Sequence, residues 1–208
     1  MTATTTDKVK VLFRLTQDES GYPPYAVEGM WTSRQADGTY EIENIPFQGL
    51  FAAVQSGRID MAVSSITITE KRLASVSFAQ PYYDSDQSLT VTTASGITGL
   101  DGMKGKIVAV DTGSTGDIWA TANQDKYGFA SISRYEGLAP AMLDLQAGRI
   151  DGYLSDIPAL LYYTKDKPQF KVVERIPSGE KYSIMFAKDS PLANECNLVL
   201  SIDVPEDT

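Results

Sequence analysis

The stretch Ser64-Ser65-Ile-Thr67-Ile-Thr69-Glu-Lys-Arg72 carries the densest polar chemistry in the chain. It leaves an apolar run and enters a helical pattern, with Thr69 placed as N-cap and Glu70 favourable to the helix dipole. Arg72 then falls in the first helical turn. A guanidinium there can grip a carboxylate through two N–H groups, while Thr67 offers a hydroxyl and a backbone N–H; the spacing suits a solvated surface arginine equally well. A second stretch, Asp111-Thr-Gly113-Ser114-Thr115-Gly116-Asp117, joins an apolar run to a helical pattern. A glycine-rich turn into a helix start presents backbone N–H groups to an anion. The loop lacks the Gly-Lys-Ser/Thr of a phosphate-binding loop and the glycine spacing of a dinucleotide fold, so a carboxylate fits it better than a phosphate. Asp156, ahead of Ile157-Pro158, suits a helix N-cap and, through its second oxygen, an ammonium group. Tyr22 and Phe47 supply aromatic faces that either bracket a ligand side chain or pack in a core. Together these groups describe a clamp for a free amino acid.

Composition narrows the field. The net charge is 18 − 27 = −9, so nucleic acid is not expected as a partner, because its binding rests on Lys and Arg neutralising phosphates. With no histidine and one cysteine, Cys196, the chain has no Ser-His-Asp triad, no Cys-His dyad and no disulfide. No catalytic residue, metal ligand or cofactor is expected.

The elements that position these groups follow from a repeat. Phe47 to Ile66 and Leu138 to Ile157 align without gaps, and Gln-x-Gly-Arg-Ile-Asp is identical in both, from Gln55 and from Gln146. Phe47, Leu50, Phe51 and Val54 mark one helix face, and Leu138, Ala141, Met142 and Leu145 another. Gly57 and Gly148 sit where each helix ends in a left-handed cap. Short apolar runs, Met61–Val63 and Gly152–Leu154, read as strands. Each copy is therefore helix, turn, strand, and delivers Ser64-Ser65 or Ser155-Asp156 to a strand's carboxyl end, where α/β sheets bind ligands. Further strands are expected at Val9–Leu15 and Lys106–Val110.

The expected fold class is α/β: two lobes, each a parallel-type sheet with flanking helices, joined by a two-strand hinge. The chain crosses at Ser88–Thr93 and returns at Tyr182–Ala187, so lobe one holds residues 1–91 plus 183–208 and lobe two holds 92–182. Met30 to Asn44 reads as a β-hairpin around Asp37-Gly38. Its few apolar groups give lobe one thin cover. Either the hairpin folds back over the gap, or the chain self-associates through lobe one as a homodimer.

Several motifs resemble those of the bacterial periplasmic polar amino-acid-binding proteins of ABC importers, solute-binding protein family 3. They are Tyr22-Pro-Pro-Tyr25, Gln55 to Asp60, Ser64 to Arg72, Phe78-Ala-Gln-Pro-Tyr-Tyr83, Leu100 to Lys106, Gly113-Ser-Thr-Gly116 and Gly148-Arg-Ile-Asp151. The resemblance implies a type II periplasmic binding fold, an ABC permease as partner and a periplasmic location, although Met1 to Lys10 lacks the pattern of a secretory signal. It also implies that Arg72 holds the ligand α-carboxylate with backbone groups at Thr67 and Thr115. Asp156 would hold the α-ammonium with the Ser65 carbonyl and the Thr67 hydroxyl, between the aromatics Tyr22 and Phe47. A cleft enzyme of this fold, like cyclohexadienyl dehydratase, would need a general acid such as Asp18, Glu19 or Asp111. A sensing module would bind the same ligands and differ in an attached membrane or signalling segment.

Overall fold

The computed structural model describes residues 30–34, 40–41 and 45–200, with side chains for 45–197. Tyr22, Asp18, Glu19 and the expected strand Val9–Leu15 lie outside these residues.

The first described elements are β1 (Met30–Arg34) and β2 (Tyr40–Glu41), which pair antiparallel as expected of the two arms of a hairpin. The first repeat copy comes next as α1 (Phe47–Gln55) and β3 (Met61–Thr67). Then come the one-turn helix α2 (Glu70–Leu73), β4 (Val76–Phe78) and the long β5 (Tyr83–Thr92). Beyond it lie β6 (Ile107–Asp111), α3 (Thr115–Tyr127) and β7 (Ser131–Tyr135). The second copy is α4 (Leu138–Gln146) and β8 (Gly152–Asp156), continued by α5 (Ile157–Thr164). The 18-residue strand β9 (Phe170–Ala187) and α6 (Leu192–Leu200) close the order.

Both repeat turns form as the pattern predicts. Gly57 and Gly148 take φ of 72° and 71°, a left-handed conformation that a side chain would strain. The apolar stripes also hold: Leu50 and Val54 are buried under α1, and Ala141, Met142 and Leu145 under α4.

Strand β9 organises the molecule. Its first part pairs antiparallel with β5, from Phe170 opposite Thr92, and its end pairs with β3 and β4. The apolar cores fall on either side of this pair. Leu50, Val54, Ile66 and Met185 share one core, and Met61, Ile184 and Phe186 pack nearby. Leu89, Val91, Val108, Leu154 and Ile176 form another, with Ala109, Met142, Tyr153 and Phe170 adjoining it. Leu89 and Val91, next to the expected boundary at residue 91, pack with Val108, Leu154 and Ile176. Between the cores the β5–β9 ladder breaks its register at Asp86. Asp86 accepts the N–H groups of Ser178 at 2.7 Å and Gly179 at 2.9 Å and binds Arg175 at 2.6 Å. Burial alone would raise its pKa; these bonds and the Arg175 charge hold it below the usual carboxylate range.

The parallel pairing lies in lobe two, where β6 pairs with both β7 and β8. Among the described residues every strand pair in lobe one is antiparallel. The cause is the long returning β9, which enters lobe one against the direction of β3.

Candidate functional site

The two repeat copies bring their strand ends to one cleft of about 420 Å³. It is lined by Phe47, Ser64, Ser65, Thr67 and Arg72 from one side and by Asp111, Ser114, Thr115, Ser155 and Asp156 from the other. Of the ligand-binding residues expected from the sequence, the nine that fall among the described residues all line this cleft; Tyr22 lies outside them.

Arg72 is not a solvated surface arginine, being only 8% exposed. Thr69 caps its helix, accepting the Arg72 N–H at 3.2 Å. The guanidinium donates through Nη1 to the Thr67 carbonyl at 2.7 Å and lies 5.3 Å and 5.4 Å from the ring centroids of Phe47 and Phe51. Burial lowers its pKa, while the charges of Glu180 and Asp156 pull it up. Among the described residues no carboxylate forms an ion pair with it. A buried guanidinium on an aromatic bed, with no ion-paired carboxylate among the described residues, is set to receive an anion.

Asp156 occupies the N-cap position of α5 but makes no capping bond with its side chain. Its Oδ1 accepts the Gln87 amide at 2.6 Å instead. The residue keeps some exposed surface, yet protein atoms crowd its carboxyl group. Burial, and next the charge of Glu180, push its pKa up to about 7 against hydrogen bonds from Tyr182 and Gln87. An incoming ammonium would draw such a group into its charged form.

The glycine-rich loop is braced for its task. The Ser114 hydroxyl caps α3 by accepting the Asp117 N–H at 3.0 Å. Asp117 accepts the Gly113 N–H at 3.1 Å and binds Arg134 Nε through both oxygens at 3.0 Å. Asp111 accepts the hydroxyls of Tyr153 at 2.6 Å and Ser155 at 3.2 Å. At the rim the two lobes touch: a Cβ on Gly113, whose φ is 72°, would stand 3.0 Å from Gln48 Nε2 of α1.

Four residues at or behind the cleft were not singled out in the sequence. Glu180, 6% exposed, accepts the hydroxyls of Thr67 at 2.5 Å and Thr115 at 2.9 Å. Gln87 bridges the two acids, reaching Glu180 at 2.9 Å as well as Asp156. Phe51 joins Phe47 beneath Arg72. Tyr82 bonds the backbone of Ser65, and burial raises its pKa to about 12. Ser65 itself has φ of 48°, and a non-glycine residue held there commonly marks a ligand site. Among the described residues no group of His, Cys, Asp and Glu could hold a metal ion.

Two lobes joined by a paired-strand crossing, with a cation and an acid facing one cleft, define a hinged solute-binding protein. The chain belongs to the bacterial extracellular solute-binding proteins, family 3, whose model matches residues 30–202. It is 29% identical over 171 residues to the arginine-binding extracellular protein ArtP of Bacillus subtilis, covering 81% of this chain and 67% of that one. Most other curated relatives it matches are spanned over about half their length. Among solved structures, an arginine-bound mutant of ArgBP from T. maritima superposes with a TM-score of 0.74 at 25% identity, covering 86% of this chain and 92% of that one. The arginine-, lysine-, histidine-binding protein ArtJ of Geobacillus stearothermophilus gives 0.70 at 31%, covering 80% and 73%. These relatives are named as binding proteins, and the two solved structures share the fold of this chain. Among the described residues no helix is long and apolar enough to cross a membrane.

Proposed function

We propose that this chain binds a free amino acid with a polar, most favourably cationic, side chain, as the solute-binding component of an ABC importer. One observation carries the reading: among the described residues, buried Arg72 forms no ion pair with a carboxylate, and it lines the same cleft as Asp156, which forms none with a cation. A zwitterion supplies both. Its α-carboxylate goes to Arg72 and the N–H groups at Thr115, its α-ammonium to Asp156 and the Ser65 carbonyl, and Phe47 borders the side chain. A volume of about 420 Å³ lies within the range of small-molecule sites. Asp111 and Glu136 also line the cleft, so acids outnumber Arg72 and an acidic ligand side chain meets a repulsive field. The names of ArtP and ArtJ point to the same ligand class.

On this reading the chain is a binder rather than an enzyme, works outside the cytoplasmic membrane and delivers to an ABC permease. The division between lobes falls near residues 91 and 182 on this reading, close to the two register shifts of the β5–β9 ladder, at Asp86 and between Leu89 and Thr90. We also propose self-association through lobe one; of the apolar groups that motivate it, Met30, Trp31, Tyr40 and Ile42 have side chains outside the described residues, whereas Ile45 is buried against Leu50 and Val54.

Calorimetry with arginine, lysine, glutamine and glutamate tests the reading. Arginine or lysine should bind most tightly and glutamate most weakly. Glutamate binding tighter than all three others would overturn the side-chain preference, and absence of binding by every free amino acid would overturn the clamp.

A further inference from the structure

Glu180 does something that neither Arg72 nor Asp156 does: it touches both sides of the cleft at once. One oxygen, Oε2, accepts the Thr67 hydroxyl at 2.5 Å and the Thr115 hydroxyl at 2.9 Å. Thr67 ends β3 in lobe one, and Thr115 opens α3 in lobe two. The other oxygen, Oε1, accepts the Gln87 amide at 2.9 Å and the Ser178 hydroxyl at 3.0 Å. Four donors saturate the carboxylate, and the group sits behind the cleft wall, not in its lining. It is thus no second partner for the ligand ammonium. Its own backbone lies directly after the register break at Ser178–Gly179, where Gly179 has φ of 63°.

We propose that Glu180 is an interlobe latch and a positioning residue: by holding Thr67 and Thr115 on one oxygen it stabilises the closed arrangement and fixes two residues that the ligand meets. Thr115 moves with the core of lobe two, Thr67 with the core of lobe one, and a single carboxylate oxygen cannot follow both as they part. Two of the four hydrogen bonds that Glu180 accepts come from opposite sides of the cleft, so the bridge biases the hinge equilibrium towards closure before any ligand contact adds to it. Gly116 makes the reach possible. A Cβ there would stand 2.8 Å from Gln87 Oε1 and 3.1 Å from Leu154 Cδ2, so a larger residue would lift the start of α3 away from Glu180. The consequence of the latch for affinity rests on the proposed binding reading, but the latch itself is tested without ligand.

The experiment compares solution scattering of ligand-free wild type, Glu180→Ala and Glu180→Gln, and then titrates each with arginine as probe. The Ala variant should give an expanded ligand-free profile, return to wild-type dimensions at saturating arginine, and bind arginine roughly tenfold more weakly. The Gln variant keeps one oxygen for both threonine hydroxyls and should restore the compact ligand-free profile, which a general loss of packing would not allow. If the Ala variant fails to fold, Thr115→Val, which removes only the lobe-two arm, should produce the same expansion. Superimposable ligand-free profiles for wild type and the Ala variant, or for wild type and Thr115→Val, overturn the latch even if arginine binds normally. Expansion of the Ala variant in a protein that binds no amino acid supports the latch and discards the binding reading instead.

Discussion

The helix–turn–strand of lobe one and that of lobe two share a turn down to individual bonds. After α1, Gly57 N–H donates to Val54 at 3.2 Å and Arg58 N–H to Ala53 at 3.0 Å; after α4, Gly148 donates to Leu145 at 3.2 Å and Arg149 to Asp144 at 2.9 Å. Beyond the turn the two copies part. The position of Ser65 in the first copy is that of Asp156 in the second. In lobe one the strand bulges at Ser65, runs on to Thr67 and feeds a four-residue helix that swings Arg72 back over the strand end. In lobe two Pro158 starts a helix at once, and Asp156 is left at its tip with its carboxylate turned away from capping. One scaffold, used twice, thus presents a cation and an acid to the same cleft. The repeated residues encode the turn, and charge is assigned by the few residues after it.

If the two charges serve the two ends of one zwitterion, the largest effect should come from the cation. Arg72→Ala leaves a ligand carboxylate without its partner in a water-poor cleft, and losing one member of a desolvated charge pair typically costs about 3–5 kcal/mol. Calorimetry should show binding weaker by roughly a hundredfold or more. Near-normal affinity would break the comparison outright.

Asp156→Asn should cost less, roughly ten- to a hundredfold, because the amide oxygen still accepts from Gln87 and the ligand ammonium while the charge is lost. Stability should move the other way. In the native state Asp156 holds its proton up to about pH 7, whereas an unfolded aspartate loses it near pH 4. Between those values the native state binds more protons, so its stability falls as pH rises. Asp86 and Asp117, held below their usual values, act in the opposite sense: their contribution is present above the unfolded pKa and lost as pH falls. The Asn variant should therefore melt at a higher temperature than wild type at pH 8, without ligand, while binding more weakly.

The same acid sets a pH dependence. Only ionised Asp156 pairs with an ammonium, and the ligand's own ammonium stays charged across the range. Affinity should level off above about pH 7 and fall by about tenfold per unit well below it, with close to one proton released on binding well below pH 7 and about half a proton at neutrality. Calorimetry in buffers of differing ionisation enthalpy reads that proton directly, and the slope should vanish in Asp156→Asn. A flat profile in wild type would move the ammonium to another acid.

Much of this architecture was legible because the signals are local. A left-handed glycine after an amphipathic helix, a threonine three residues before Arg72 and a proline at the start of α5 each fix their neighbourhood within one turn of chain. Glu180 and Gln87 were not legible for the opposite reason. Glu180 meets Thr67 across 113 positions and Gln87 meets Asp156 across 69, and no spacing rule makes a Gly-Glu-Lys stretch buried. One weak signal was present. Pro177-Ser-Gly179 interrupts an otherwise β-rich run, the mark of a bulge, and it lies opposite the register shift at Asp86; a second shift falls between Leu89 and Thr90, within Ser88–Thr93. The all-antiparallel pairing described in lobe one was hidden likewise, since it depends on where β9 returns.

The smallest effect isolates the shared turn from the charges it carries. Neither Gly57 nor Gly148 has an atom within 4 Å of where a Cβ would stand, so alanine at either position meets backbone strain and no clash. A left-handed non-glycine residue costs about 1–2 kcal/mol, offset slightly because alanine also restricts the unfolded chain. Gly57→Ala and Gly148→Ala should each destabilise the protein by about 1 kcal/mol in urea titrations, equal to each other within about 0.5 kcal/mol, and the double variant should show their sum. Both turns lie away from the cleft, so arginine affinity should stay within about twofold. A much larger loss at one glycine than at the other would mean that the two copies, identical in their bonds, sit in lobes of unequal tolerance. A large change in affinity from either would mean that the turn helps to aim the residues beyond it.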